Sequence, residues 1–131
     1  MAIADRKVLY GINKEILTEE IFTAEAVTAG SSATSSAFDL NLTGGQFSLQ
    51  IEVTGDGTAK LEWLGSNDGV DYVKPNNAND IVTAFTKTDG PGSDGKHIYS
   101  FNVSLVKFLK IKITETGAAD SVTVTATLAI Q

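Results

Sequence analysis

Oxygen-bearing side chains crowd one stretch of the chain, "LEWLGSNDGVDYVKPNNAND", Leu61 to Asp80. Asn67, Asp68, Asp71, Asn76, Asn79 and Asp80 fall within it. Calcium takes carboxylate and amide oxygens of this kind, which makes Asp68, Asp71 and Asp80 the calcium candidates. The EF-hand spacing fails, because Asn79 rather than Glu stands at the twelfth loop position counted from Asp68. Asn and Asp also hydrogen-bond their own backbone in turns. A Ser-Asn-Asp-Gly corner between two strands uses the same residues with no ligand at all, and the expectation is a turn with no bound metal. An alternative is a glycan-binding loop formed by Asp71, Tyr72 and Asn76, a ring beside polar groups. The later loop "KTDGPGSDGKH" carries Asp89 and Asp94 and admits the same two readings, turn or cation.

Catalytic chemistry has little to work with. His97 is the one histidine, and no motif surrounds it. No Gly-x-Ser-x-Gly elbow, phosphate-binding loop or His-Glu-x-x-His is present. Glu19 and Glu20 are adjacent carboxylates in a stretch with no shaped pocket to tune them. There is no cysteine, which excludes disulfides, thiol catalysis and Cys-based zinc sites. The expectation is a protein that is not an enzyme, with no catalytic residues and no cofactor.

The elements that position these residues read as strands. The chain has 131 residues, which suits one domain. With 42% hydrophobic residues it can fill a core. Period-2 alternation runs from about residue 45 onward. "QFSLQIEVT" turns Phe47, Leu49, Ile51 and Val53 inward. "DGTAKLEWL" does the same with Ala59, Leu61 and Trp63, "FLKIKIT" with Leu109, Ile111 and Ile113. "SVTVTATLAIQ" offers Val122, Val124, Ala126, Leu128 and Ile130. Weaker strands are expected at "AFDLNL", "DYVK", "DIVTAFT" and "HIYSFNV". Asp56-Gly57, Asp68-Gly69, Asp89-Gly90 and Asp94-Gly95 punctuate the runs as turns. The pattern predicts an all-β, antiparallel β-sandwich of jelly-roll type with about eight strands.

The polar faces of these strands carry Ser, Thr and Gln. The Thr123, Thr125, Thr127 row reads as a solvated sheet face or as a flat contact surface. Lys107, Lys110 and Lys112 find their simplest partners in Glu52 and Glu62 on neighbouring strands. The first 35 residues are less regular. Ile16, Leu17, Ile21 and Phe22 fit one side of a short helix, while Ile21 to Val27 fits a strand equally well. "AGSSATSS" reads as a connector with little to bury. Residues 1–20 are expected as an N-terminal arm and 21–131 as the sandwich domain; an ordinary edge strand is the alternative for the arm.

The net charge of −6 argues against a nucleic-acid partner. No segment approaches the roughly 18 apolar residues of a membrane helix, so no membrane partner is expected. No signal-peptide pattern opens the chain, which predicts synthesis in the cytoplasm without export.

Two resemblances meet here. "LEWLGSNDGVDYVKP" with "IYSFNVSLVKFLKIKIT" resembles discoidin-type, galactose-binding-like jelly rolls over roughly residues 58–114. The matches are Ser66, Asp68, Gly69, Tyr72, Phe108, Lys110 and Lys112, and the disulfide cysteines of that family are missing. This resemblance implies a carbohydrate-binding module. From Ile21 to Gln131 the chain also resembles small virion proteins of tailed bacteriophages. The stretches are "GSSATSSAFDLNLTGGQFSLQIEVTG", "SNDGVDYVKP", "GPGSDGKHIYSF" and "VTVTATLAIQ". That resemblance implies a capsid decoration (cement) protein at the capsid surface of the virion. It implies the major capsid protein as partner and a homo-oligomer, a trimer. A tail or fibre component is the further alternative.

Overall fold

The structure is a computed structural model describing residues 15–41 and 43–131. The described residues form nine strands and no helix. They are β1 (Leu17–Val27), β2 (Ser32–Thr34), β3 (Phe38–Asp39), β4 (Phe47–Thr54), β5 (Ala59–Ser66), β6 (Val82–Phe85), β7 (Lys96–Phe101), β8 (Phe108–Glu115) and β9 (Val122–Ile130). One sheet has the order β1-β9-β4-β7, the other β2-β8-β5-β6, with β3 also on β8. Every pairing is antiparallel. β2 and β3 both pair with β8 and act as two pieces of one edge strand. Taken so, the pairs β1 with β9, β2/β3 with β8, β4 with β7 and β5 with β6 nest inside one another.

The alternating runs become the two inner faces. Leu49, Ile51 and Val53 of β4 and Val122, Val124, Ala126 and Leu128 of β9 line one side. Leu61 and Trp63 of β5 and Leu109, Ile111 and Ile113 of β8 line the other. All are buried, as the period-2 reading requires. Two expected strands are shorter. "DYVK" contributes one bridge, Val73 to Gly65, and "AFDLNL" gives the two residues of β3.

The N-terminal stretch is a strand from Leu17, not a helix, so β1 crosses the boundary expected at residue 20. Residues 1–14 of the expected arm lie outside the described residues. The period of β1 is obscured because it is bulged twice, between Glu20 and Phe22 and between Phe22 and Glu25. Ala24 sits there with φ +47, and its N–H donates to Thr125 Oγ1 at 3.0 Å. Thr125 of the outward threonine row therefore also holds the bulge of the neighbouring strand. "AGSSATSS" also does more than connect. It contains β2, and buried Ser35 accepts a hydrogen bond from Ile111 N at 2.9 Å.

The loops divide between the two ends of the sandwich. Residues 28–31, 55–58, 86–95 and 116–121 cluster at one end. Residues 40–46, 67–81 and 102–107 and the C-terminal Gln131 gather at the other.

Candidate functional site

The Asp/Asn stretch lies at the second end. β5 delivers Ser66, and Asn67 to Gly69 turn the chain back. Asp68 Oδ1 accepts three hydrogen bonds, from Ser66 Oγ (2.9 Å), Val70 N (2.9 Å) and Asp71 N (3.0 Å). Gly69 N donates to Ser66 Oγ at 2.9 Å. Gly69 has φ +75 and lies against the Phe108 ring, so a side chain there meets both strain and a wall. The bonds from Asp71 N, then Val70 N and Ser66, hold the Asp68 carboxyl below its ordinary range. Asn67 Oδ1 accepts from Lys107 N at 3.0 Å, tying this loop to the one before β8.

Asp80 faces different partners. It forms an ion pair with Lys74, whose ammonium also lies 3.0 Å from Glu62, and accepts from Thr83 Oγ1 at 3.2 Å. Burial pushes the Asp80 carboxyl up, but the Lys74 hydrogen bond and the charges of Lys60 and Lys74 outweigh it and hold it low. Lys74 is raised, first by Asp80 and then by Glu62, against desolvation. The carboxylates of Asp68 and Asp80 are thus spent on different partners. Among the described residues, no three His, Cys, Asp or Glu side chains gather as a cation would require. EDTA is expected to leave the melting temperature unchanged. A rise in millimolar calcium, abolished in Asp68→Ala/Asp71→Ala, would overturn the turn reading.

Of the glycan candidates, Tyr72 holds its ring under the Lys110 ammonium, 4.2 Å from the centroid. Asp71 and Asn76 are exposed, with no side-chain hydrogen bond among the described residues. The lysine pairing differs from expectation. Glu62 pairs with Lys60 (3.8 Å) and Lys74, and stands opposite Lys112 in the ladder. Glu52 lies in the other sheet, opposite Lys96. Alternation identifies a strand's outward face but not its sheet, which is why Glu52 was misplaced. His97 lies on the inner side of β7, its Nδ1 accepting from Ile98 N at 2.8 Å and its ring 4.3 Å from Tyr99.

Two features escaped the sequence reading. The first is Glu115, a glutamate only 1% exposed at the end of β8. Its Oε1 accepts from Gly30 N (2.9 Å) and Ala118 N (2.8 Å), its Oε2 from Thr58 N (2.9 Å) and Gly117 N (2.8 Å). One carboxylate thus ties together three loops. The second is a set of exposed apolar side chains at one end of the sandwich. Leu105 is 99% exposed, Val70 76%, Leu17 63%, and Ile16 and Val73 61% each. All five belong to the end that carries the Ser-Asn-Asp-Gly turn.

No family model and no curated protein matches the chain. The fold is similar to a chain in the structure of infectious bursal disease virus Gx strain, at TM-score 0.52 and 11% identity. The match covers 88% of this chain and 31% of that one, so this chain spans about a third of its length. It is also similar to the SPBc2 prophage-derived protein YomS, at TM-score 0.47 and 14% identity, over 94% of this chain and 99% of that one. At these identities the likeness concerns the fold alone.

Proposed function

We propose that this protein is a structural component of a tailed-bacteriophage virion, a decoration protein that binds the capsid surface. The observation that carries the reading is that Leu105, Val70, Val73, Leu17 and Ile16, all large apolar side chains, are exposed at the same end of the sandwich. Apolar side chains clustered on a surface mark a protein-protein contact. Two further points support it. The nested strand pairing is the order a jelly roll takes, and part of a chain in a virus structure shares the sandwich over most of this chain's extent. The sequence from Ile21 to Gln131 resembles small phage virion proteins. The partner is the major capsid protein, and each copy, acting within a homo-oligomer such as a trimer, buries the apolar end on the shell. Binding only the assembled shell lowers its free energy, and many copies multiply the effect. A tail or fibre role would use the same surface against a different partner.

The test is co-sedimentation with undecorated heads and, separately, with tails. The intact protein is expected to sediment with heads and to raise their thermal stability. Val70→Ser/Leu105→Ser is expected to fold normally, because surface changes of this kind stay within about 0.5 kcal/mol. It should bind heads on the order of tenfold or more weakly. Deleting residues 1–14, which leaves β1 whole, should also weaken binding. Sedimentation with tails alone would move the protein to the tail, and binding to neither would sink the reading.

A further inference from the structure

We propose that the lysine-bearing outer face of the sheet β2-β8-β5-β6 docks the acidic β1 edge of a second copy of this chain. The inference rests on the homo-oligomer of the function proposed above and names its contact. Alternation puts Lys60 and Leu64 of β5 and Lys110 and Lys112 of β8 on that outer face, where Leu64 stands opposite Lys110. Two more lysines join them from loops. Lys74 reaches Glu62 at 3.0 Å, and the Lys107 ammonium lies over the Phe108 ring, 5.4 Å from its centroid. After residue 14, only Lys87 and Lys96 lie elsewhere in the chain. Glu62 and Asp80 are taken up by Lys60 and Lys74, and Asp39 stands opposite Phe108. Among the described residues, Lys107, Lys110 and Lys112 have no carboxylate partner. The face thus keeps positive charge in a chain whose net charge is −6. Leu64, Tyr72 and Phe108 are half-buried among the lysine stems, so a contact here buries apolar surface along with the charges.

The occupant follows from the opposite distribution on β1. From Glu15 to Ala59 the chain has no lysine, arginine or histidine. Glu15, Glu19, Glu20 and Glu25 are exposed at or along β1, an edge of the other sheet. Glu19 and Glu25 stand opposite Leu128 and Val124, four residues apart on β9, which separates them by about 13 Å. Lys112 and Phe108, whose ring carries the Lys107 ammonium, are also four residues apart on β8, so the two spans match at about 13 Å. Each surface is crowded with like charge in the single copy, and each supplies what the other lacks. Face and edge are different patches, so the contact is head-to-tail, and successive copies form a ring where the rotation closes.

The test is sedimentation velocity of the full-length protein alone, without heads, so its failure is distinct from a failure of head binding. Wild type is expected to self-associate reversibly as its concentration rises. Added salt should weaken the association, because it screens exposed charges. Lys107→Glu/Lys110→Glu and Glu19→Lys/Glu25→Lys change surface side chains that have no ion-pair partner among the described residues, and both should melt close to wild type. Each variant alone should associate about tenfold or more weakly, since like charges then face each other. An equimolar mixture of the two should recover the association, because the acidic face of one meets the basic edge of the other. Mixing does not rescue a variant that is merely destabilised. The proposal is overturned by wild-type protein that stays monomeric at millimolar concentration in low salt, by association unchanged in either variant, or by no recovery in the mixture.

Discussion

Trp63→Ala is expected to destabilise the protein by roughly 3–5 kcal/mol. The indole is 2% exposed on β5, which lies between β6 and β8. It stands opposite Ile111 in the ladder and beside Gly65, where an added Cβ would lie 3.2 Å from its ring. Truncation therefore removes a large apolar surface and leaves a cavity in a close-packed interior, and the two costs add. Trp63 is the one tryptophan, so the variant loses its fluorescence signal. The comparison is made by far-UV circular dichroism in urea and on heating. Asp71→Ala, on the exposed turn, serves as control and should stay within about 0.5 kcal/mol. An unchanged urea midpoint for Trp63→Ala would contradict the register that puts Trp63 inside.

That register was legible because a half-buried strand must alternate. In "FSLQIEV", "AKLEW" and "VTVTATL", one face carries apolar residues and the other polar ones, and a one-residue slip would exchange them. The same rule already contained Glu115. Continuing Leu109, Ile111, Ile113 by two places puts a glutamate on the inner face, where an ion needs partners. Reading the exception as strictly as the rule would have found it. β1 was less legible for the opposite reason. Its two bulges break the alternation, so Ile16, Leu17, Ile21 and Phe22 imitate a helical spacing. The Asp/Asn stretch illustrates a third limit. Asp68 and Asp80 are twelve residues apart in a loop whose course no periodicity determines. Residue type alone does not say that one caps a turn while the other answers Lys74. A cleft between residues 77–81 and 100–104 was illegible too, since it exists only where two segments apart in sequence meet at one end of the sandwich.

Glu115→Gln is expected to lower the melting temperature at neutral pH by on the order of 10 °C, although it changes a single atom. Each carboxylate oxygen receives two backbone N–H groups, Gly30 and Ala118 on one, Thr58 and Gly117 on the other. A glutamine turned either way presents an NH2 to two donors. Two N–H groups then lose their acceptor and face a third donor, in the joint between the loops after β1, β4 and β8. Ala118, held at φ +62, loses one of the bonds that fixes its turn. The pH dependence isolates the charge. The bonds from Thr58 N and Gly30 N, with those of Ala118 and Gly117, outweigh desolvation and lower the Glu115 pKa from 4.5 to about 2. As pH falls, the unfolded chain takes up this proton first and the folded protein resists it. The contribution is therefore complete above about pH 4.5 and is lost as pH falls toward about 2. Melting curves of wild type and Glu115→Gln across that window should converge as the pH drops, because only the wild type has this stability to lose. Asp56, Asp68 and Asp80 are also held low, but they titrate in both proteins and cancel in the difference. Parallel curves through the window, or a variant as stable as wild type at neutral pH, would mean that the carboxylate is not what holds the three loops together.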